Sequence, residues 1–114
     1  MVEDRITDGR RIGQLLASEL TGLQRGPLAD VAVVDADRDV EPTPEGAFAY
    51  RVTADGTEVA AVEVTPETAR LVLEREPGHV PARDDVTVDG ATVVAHSGAA
   101  VKAAVDVLEG TLSE

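Results

Sequence analysis

The sequence has no cysteine and no tryptophan, and only one lysine, one phenylalanine and one tyrosine in 114 residues. Without cysteine there is no disulfide framework, no thiol nucleophile and no thiolate metal site. With Phe48 and Tyr50 as the only aromatics, the chain lacks the stacking platforms of single-stranded nucleic-acid binders. No apolar run approaches the roughly 20 residues that cross a bilayer, so no membrane association is expected. The opening Met1-Val2-Glu3-Asp4-Arg5 is acidic and lacks the charged-then-apolar order of a secretory signal, which leads to a cytoplasmic expectation. No internal repeat, low-complexity segment or cofactor motif is present, and no cofactor is expected.

Acid is abundant. Eleven Asp and eleven Glu stand against nine Arg and a single lysine, Lys102, for a net charge of -12. Valine (18) and alanine (17) dominate the apolar set. This is the composition style of proteins that work in molar salt. At 1 M the Debye length is about 3 Å, so dense like charge costs little there, while net charge far from zero keeps a protein soluble. In an ordinary cytosol such a charge argues against nucleic acid; in molar salt it is background and identifies no partner. The length fits a single domain over 1–114, which hides roughly two-thirds of its unfolded surface.

Hydrophobic spacing gives the elements. Ile12, Leu16, Leu20 and Leu23 recur at helical spacing between Thr7 and Leu23, with Leu15 widening the stripe. Thr7 or Asp8 can cap this helix, and Gly9 and Gly13 weaken it by up to about 1 kcal/mol each relative to Ala. The valine-rich stretch from Leu28 to Asp35 reads as a strand centred on residues 31–34, followed by a polar loop with Pro42 and Pro44. Residues 47–53 and 57–65 flank Ala54-Asp55-Gly56 as a hairpin. A two-residue turn would pair Phe48 with Glu63 and Tyr50 with Ala61. A three-residue loop with Gly56 in a bulge pairs Phe48 with Val62, and puts Phe48, Tyr50, Val52, Ala60, Val62 and Val64 on one face. The hydrophobic pattern favours that bulged turn. Thr65-Pro66-Glu67-Thr68 fits either a helix start or a type I turn, and the alternation of Ala69, Leu71 and Leu73 with Arg70 and Val72 favours a strand after it. Val86–Val88 and 91–96 add short strand signals. Ser97 is expected to cap a final helix with Val101, Val105, Leu108 and Leu112 as its stripe.

The expectation is an α+β fold: N-terminal and C-terminal helices packed on one face of a four- to five-stranded, mostly antiparallel meander. The free face would carry Ala47, Ala49, Arg51, Val59, Ala61, Arg70 and Val72, half apolar and half charged, which marks an interface. Arg51 and Arg70 could clamp a partner carboxylate there.

The segments Val2–Leu20, Val40-Glu-Pro-Thr-Pro-Glu-Gly46 and Ser97–Leu108 resemble a family of uncharacterised small proteins of halophilic archaea, a domain of unknown function. Residues 74–89 fall outside the resemblance. The family carries no assigned activity, so the resemblance implies a source and a single domain and transfers no function.

Candidate sites are few. Asp35, Asp37 and Asp39 alternate like calcium-loop ligands, but Val40 and Gly46 stand where an EF-hand needs Gly and Glu, so a solvated acidic loop is expected. His96, Ser97 and Gly98 lie where a strand feeds a helix, a place for an anion, with His96 able to titrate near neutrality. His79 has no zinc-type spacing partner. Arg10 and Arg11, with Arg5, make a short basic spot interleaved with acids, which suggests ion pairing on a helix surface. No catalytic constellation is visible. The reading is a protein-association domain, as a homodimer or a complex subunit. The alternatives are a small-ligand or anion-binding regulator at 96–98, or a small enzyme using His96.

Overall fold

The computed structural model describes residues 8–22, 29–78 and 83–112. It contains α1 (Gly9–Gly22), β1 (Val31–Val34), β2 (Ala47–Ala54), β3 (Thr57–Val64), β4 (Ala69–Leu73), β5 (Val86–Asp89), β6 (Thr92–Ala95) and α2 (Val101–Leu112). The six strands form one antiparallel sheet in the order β1-β2-β3-β4-β6-β5. The fold is α+β as expected, with six strands rather than four or five. It is also not a simple meander. After β4 the chain passes to the sheet edge as β5, then turns back through Gly90-Ala91 so that β6 fills the place beside β4.

Asp8 caps α1. Its Oδ1 accepts the amides of Arg10 (2.9 Å) and Arg11 (3.2 Å), two donors that the first turn leaves unpaired. Ile12, Leu16 and Leu20 are fully buried and Leu15 partly so, while Thr7, Leu23 and His79 lie outside the described residues. The helix meets β1, β3, β4 and α2. Its approach depends on Gly9 and Gly13. A Cβ on Gly9 would fall 1.8 Å from the Thr65 carbonyl oxygen, and one on Gly13 would fall 2.9 Å from Val64 Cγ1. Gly9 also donates its amide to Pro66 O at 3.1 Å. The two glycines that weaken the helix as an isolated element are what let its backbone rest on the β3–β4 turn.

Of the two readings of 65–68, a helix start or a turn, the chain takes a turn. The Thr65 hydroxyl accepts the Thr68 amide at 3.0 Å, Thr65 N donates to Thr68 O at 2.9 Å, and β4 follows as the alternation predicted.

The β2–β3 hairpin differs from the expected bulged turn. Ala54 pairs with Thr57 across a two-residue Asp55-Gly56 turn, with both φ values positive (53° and 81°), the left-handed pair that matches strand twist. That turn alone would put Tyr50 opposite Ala61 and send it to the wrong face. Two irregularities correct this. An extra residue at Val59 shifts the register so that Val52 pairs with Ala60 and Tyr50 with Val62, and a second at Ala49 restores Phe48 to Glu63. The buried face therefore holds Tyr50, Val52, Ala60, Val62 and Val64 as expected, but not Phe48, which is 38% exposed.

α2 is preceded by a 3-10 turn over Gly98–Ala100. Ser97 occupies the cap position with an extended backbone, yet its hydroxyl makes no bond to the helix; it reaches Asp85 Oδ2 at 3.4 Å. The opposite end is closed by Arg75, whose guanidinium donates to the Thr111 carbonyl. Val101, Val105 and Leu108 face the core beside β6 and α1. Both helices lie on one side of the sheet and share a single core of small aliphatic side chains, with Tyr50 the only buried aromatic. Among the described residues, no helix is long and apolar enough to cross a membrane.

Candidate functional site

Among the described residues, no helix lies on the opposite face of the sheet. Cross-strand pairing places Val34, Arg51, Ala61, Val72, Thr92 and Asp89 in one row across all six strands, and Phe48, Glu63, Arg70, Val94 and Thr87 in the next. Of the residues expected on this face, Arg51, Ala61, Arg70 and Val72 are there. Ala49 and Val59 are not. Each sits at a register irregularity that turns its side chain to the helix side: Ala49 is 5% exposed beneath α1, and Val59 lines a groove with Leu108 and Leu112 of α2. Ala47 pairs with buried Val64 and packs on the core. Phe48 and Val34, the two large apolar side chains most exposed, complete the outer face instead.

Its arginines are engaged within the chain. Arg51 meets Asp35 Oδ2 at 2.9 Å and Glu58 Oε1 at 3.3 Å, and its guanidinium lies 5.0 Å from the Phe48 ring centre. Arg70 donates to the carbonyls of Glu45 (2.8 Å) and Pro44 (3.4 Å), pinning the 42–46 loop over one end of the face. Neither guanidinium is held open as a carboxylate clamp.

The 96–98 segment does not converge on a common point. His96 is exposed and its Nε2 lies 3.0 Å from Thr87 Oγ1, in an open groove of about 620 Å³ that Arg70, Thr68 and Pro44 also line. Ser97 is buried on the other side, against Asp85. Arg83 grips Asp85 with two bonds of 2.8 and 2.7 Å. The hydrogen bonds and charge of Arg83 hold the Asp85 carboxyl below the usual aspartate range, against a smaller opposing effect of burial. The carboxylate met by Ser97 is thus the chain's own. Among the described residues, no carboxylate bonds the His96 ring, whose hydrogen-bond partner is Thr87.

The three alternating aspartates also separate. Asp35 pairs Arg51, Asp37 Oδ1 accepts the Asp39 amide at 3.0 Å, and no carboxylate–imidazole cluster of metal-binding size occurs among the described residues. Arg11 donates to Gln14 at 3.2 Å rather than to an acid; Arg5 lies outside the described residues.

One feature was not legible in the sequence. A cavity of about 320 Å³ lies between α1 and the β1–β2 side of the sheet. Gly13, Ala17, Val33, Val40, Ala49 and Tyr50 form its walls, with Arg10, Gln14, Asp37 and Arg38 around it. The Tyr50 hydroxyl donates to Gly13 O at 2.8 Å, and burial pushes this phenol above its ordinary value of 10.0. The only hint in the sequence was the row of small residues Gly9, Gly13 and Ala17, four apart on one helix face.

The described residues form a two-layer α+β protein with no helix on one sheet face and an apolar pocket beneath α1. The chain belongs to a family of unknown function (DUF7993), whose profile matches residues 1–114. No curated protein and no solved structure matches it.

Proposed function

We propose that the protein is a non-enzymatic association domain of a salt-adapted cytoplasm, of halophilic archaeal type, which pairs with a second copy of itself through the outer sheet face. The observation that carries the reading is the double row spanning the sheet, with no helix over it among the described residues, in which Val34, Phe48, Ala61, Val72 and Val94 stand among arginines already engaged inside the chain and the acids Glu63 and Asp89. With Arg51 held by Asp35 and Glu58, and Arg70 by two backbone carbonyls, the face offers no free basic footprint to nucleic acid. It suits a twofold contact in which the same patch meets itself. The charge of -12 opposes pairing in dilute buffer. Screening over about 3 Å at molar salt removes most of that opposition. The alternative of anion capture at His96, Ser97 and Gly98 has less support, because Asp85 already sits against Ser97.

Light scattering on gel-filtered protein in molar KCl tests the reading. Wild type should run as a dimer. Val72→Glu, at the centre of the outer row, should run as a folded monomer with unchanged far-ultraviolet circular dichroism. A wild type that stays monomeric at every concentration and salt refutes the reading.

A further inference from the structure

The cavity beneath α1 is separate from the outer face, and its chemistry specifies a ligand. Its interior polar groups are already bonded: the Tyr50 hydroxyl to Gly13 O at 2.8 Å, and the Ala49 carbonyl to the Asp37 amide at 2.8 Å. No buried side-chain nitrogen or oxygen among the described residues lacks a partner. The walls therefore offer an occupant apolar contact only. The volume of about 320 Å³ lies at the small end of ligand sites, which run from roughly 300 to 1,000 Å³.

The charged groups tell the other half. In a chain with 22 acidic residues, Arg38 lines this cavity with no hydrogen bond or ion pair to its guanidinium among the described residues. The Arg10 guanidinium beside it makes one bond, to the Arg38 carbonyl at 2.7 Å, and no ion pair among the described residues. Asp37 is the one acid lining the cavity, and its Oδ1 is taken up by the Asp39 amide. Among the residues lining the cavity, two guanidiniums stand against one carboxylate, in a chain whose net charge is -12. A guanidinium fork matches a carboxylate bidentately.

We propose that this cavity binds a small amphiphilic carboxylate, with its apolar body between Ala17, Val40 and Tyr50 and its head on Arg10 and Arg38. The full chain, labelled with nitrogen-15 in molar KCl, is titrated with phenylacetate and with its neutral analogue phenylacetamide. Phenylacetate should give saturable shifts centred on the amides of Gly13, Ala17, Ala36 and Val40, and phenylacetamide should bind at least about tenfold more weakly. Arg38→Gln, at a side chain with no structural partner, should weaken phenylacetate by a similar factor while leaving the rest of the spectrum in place. Ala17→Leu should remove binding by filling the space. Equal affinity for the two probes, shifts centred elsewhere, or no saturable shift each overturns the proposal.

Discussion

Two glycines in two helices carry opposite expectations. Gly9→Ala should destabilise the protein by about 3 kcal/mol, because overpacking against backbone that cannot move outweighs a helix-propensity gain of about 1 kcal/mol. The backbone it meets is the Thr65 carbonyl. Gly110→Ala in α2 has nothing within 4 Å and should gain up to about 1 kcal/mol. Denaturant melts of the two variants check both signs. Tyr50 gives a second test. Its folded pKa is raised by burial, so its contribution is complete below the unfolded value of about 10 and is lost as pH rises above it. It is the chain's one tyrosine, and there is no tryptophan. Phenolate absorbance should therefore stay absent in the native protein well above that pH and appear with unfolding. Tyr50→Phe should cost about 1 kcal/mol near neutrality, the worth of one hydrogen bond. The apolar stripes behind these residues were readable by period. The role of Gly9 was not, because a close approach depends on a turn 56 residues away in the chain.

At the scale of elements, valine-rich and alternating segments marked strand positions, but the strand number, the β6–β5 order and the register were not read from them. The core face of the hairpin was legible because Tyr50, Val52, Ala60, Val62 and Val64 must share it. The device that achieves this was not. A tight Asp55-Gly56 turn with irregularities at Val59 and Ala49 yields nearly the same face as a longer loop, and differs in where Ala47, Phe48, Ala49 and Val59 point. Those four residues account for the errors in the expected interface. The start of α2 gives a similar lesson. Ser97 has a cap residue's identity, but Asp85 from the β5 side competes for its hydroxyl. Asp85 should titrate below the ordinary aspartate value, because Arg83 hydrogen-bonds its carboxylate. Its pKa is depressed in the fold, so its contribution is present above the unfolded value of about 3.9 and is lost as pH falls through the lower folded one. Carboxyl-detected nuclear magnetic resonance should show this, and Arg83→Gln should return Asp85 toward the ordinary value.

At the scale of the molecule, composition and architecture meet in the outer face. The charge of -12 is a property of the sequence, but the internal pairing of Arg51 with Asp35 and Glu58 appears only when β1, β2 and β3 are laid side by side. The same holds for the cavity, whose walls come from α1, β1, β2, β3 and the loop between β1 and β2. The account stands on the claim that two copies meet through the outer face. The absence of cysteine makes a direct measurement clean, since one introduced thiol is the only label site. Spin labels placed singly at Thr92→Cys on the outer face and at Lys102→Cys on α2 are compared by pulsed dipolar spectroscopy in molar KCl. The account predicts a short, narrow distance between copies for Thr92→Cys and a longer one for Lys102→Cys. A longer distance at Thr92→Cys than at Lys102→Cys, or no defined distance for either, would contradict it.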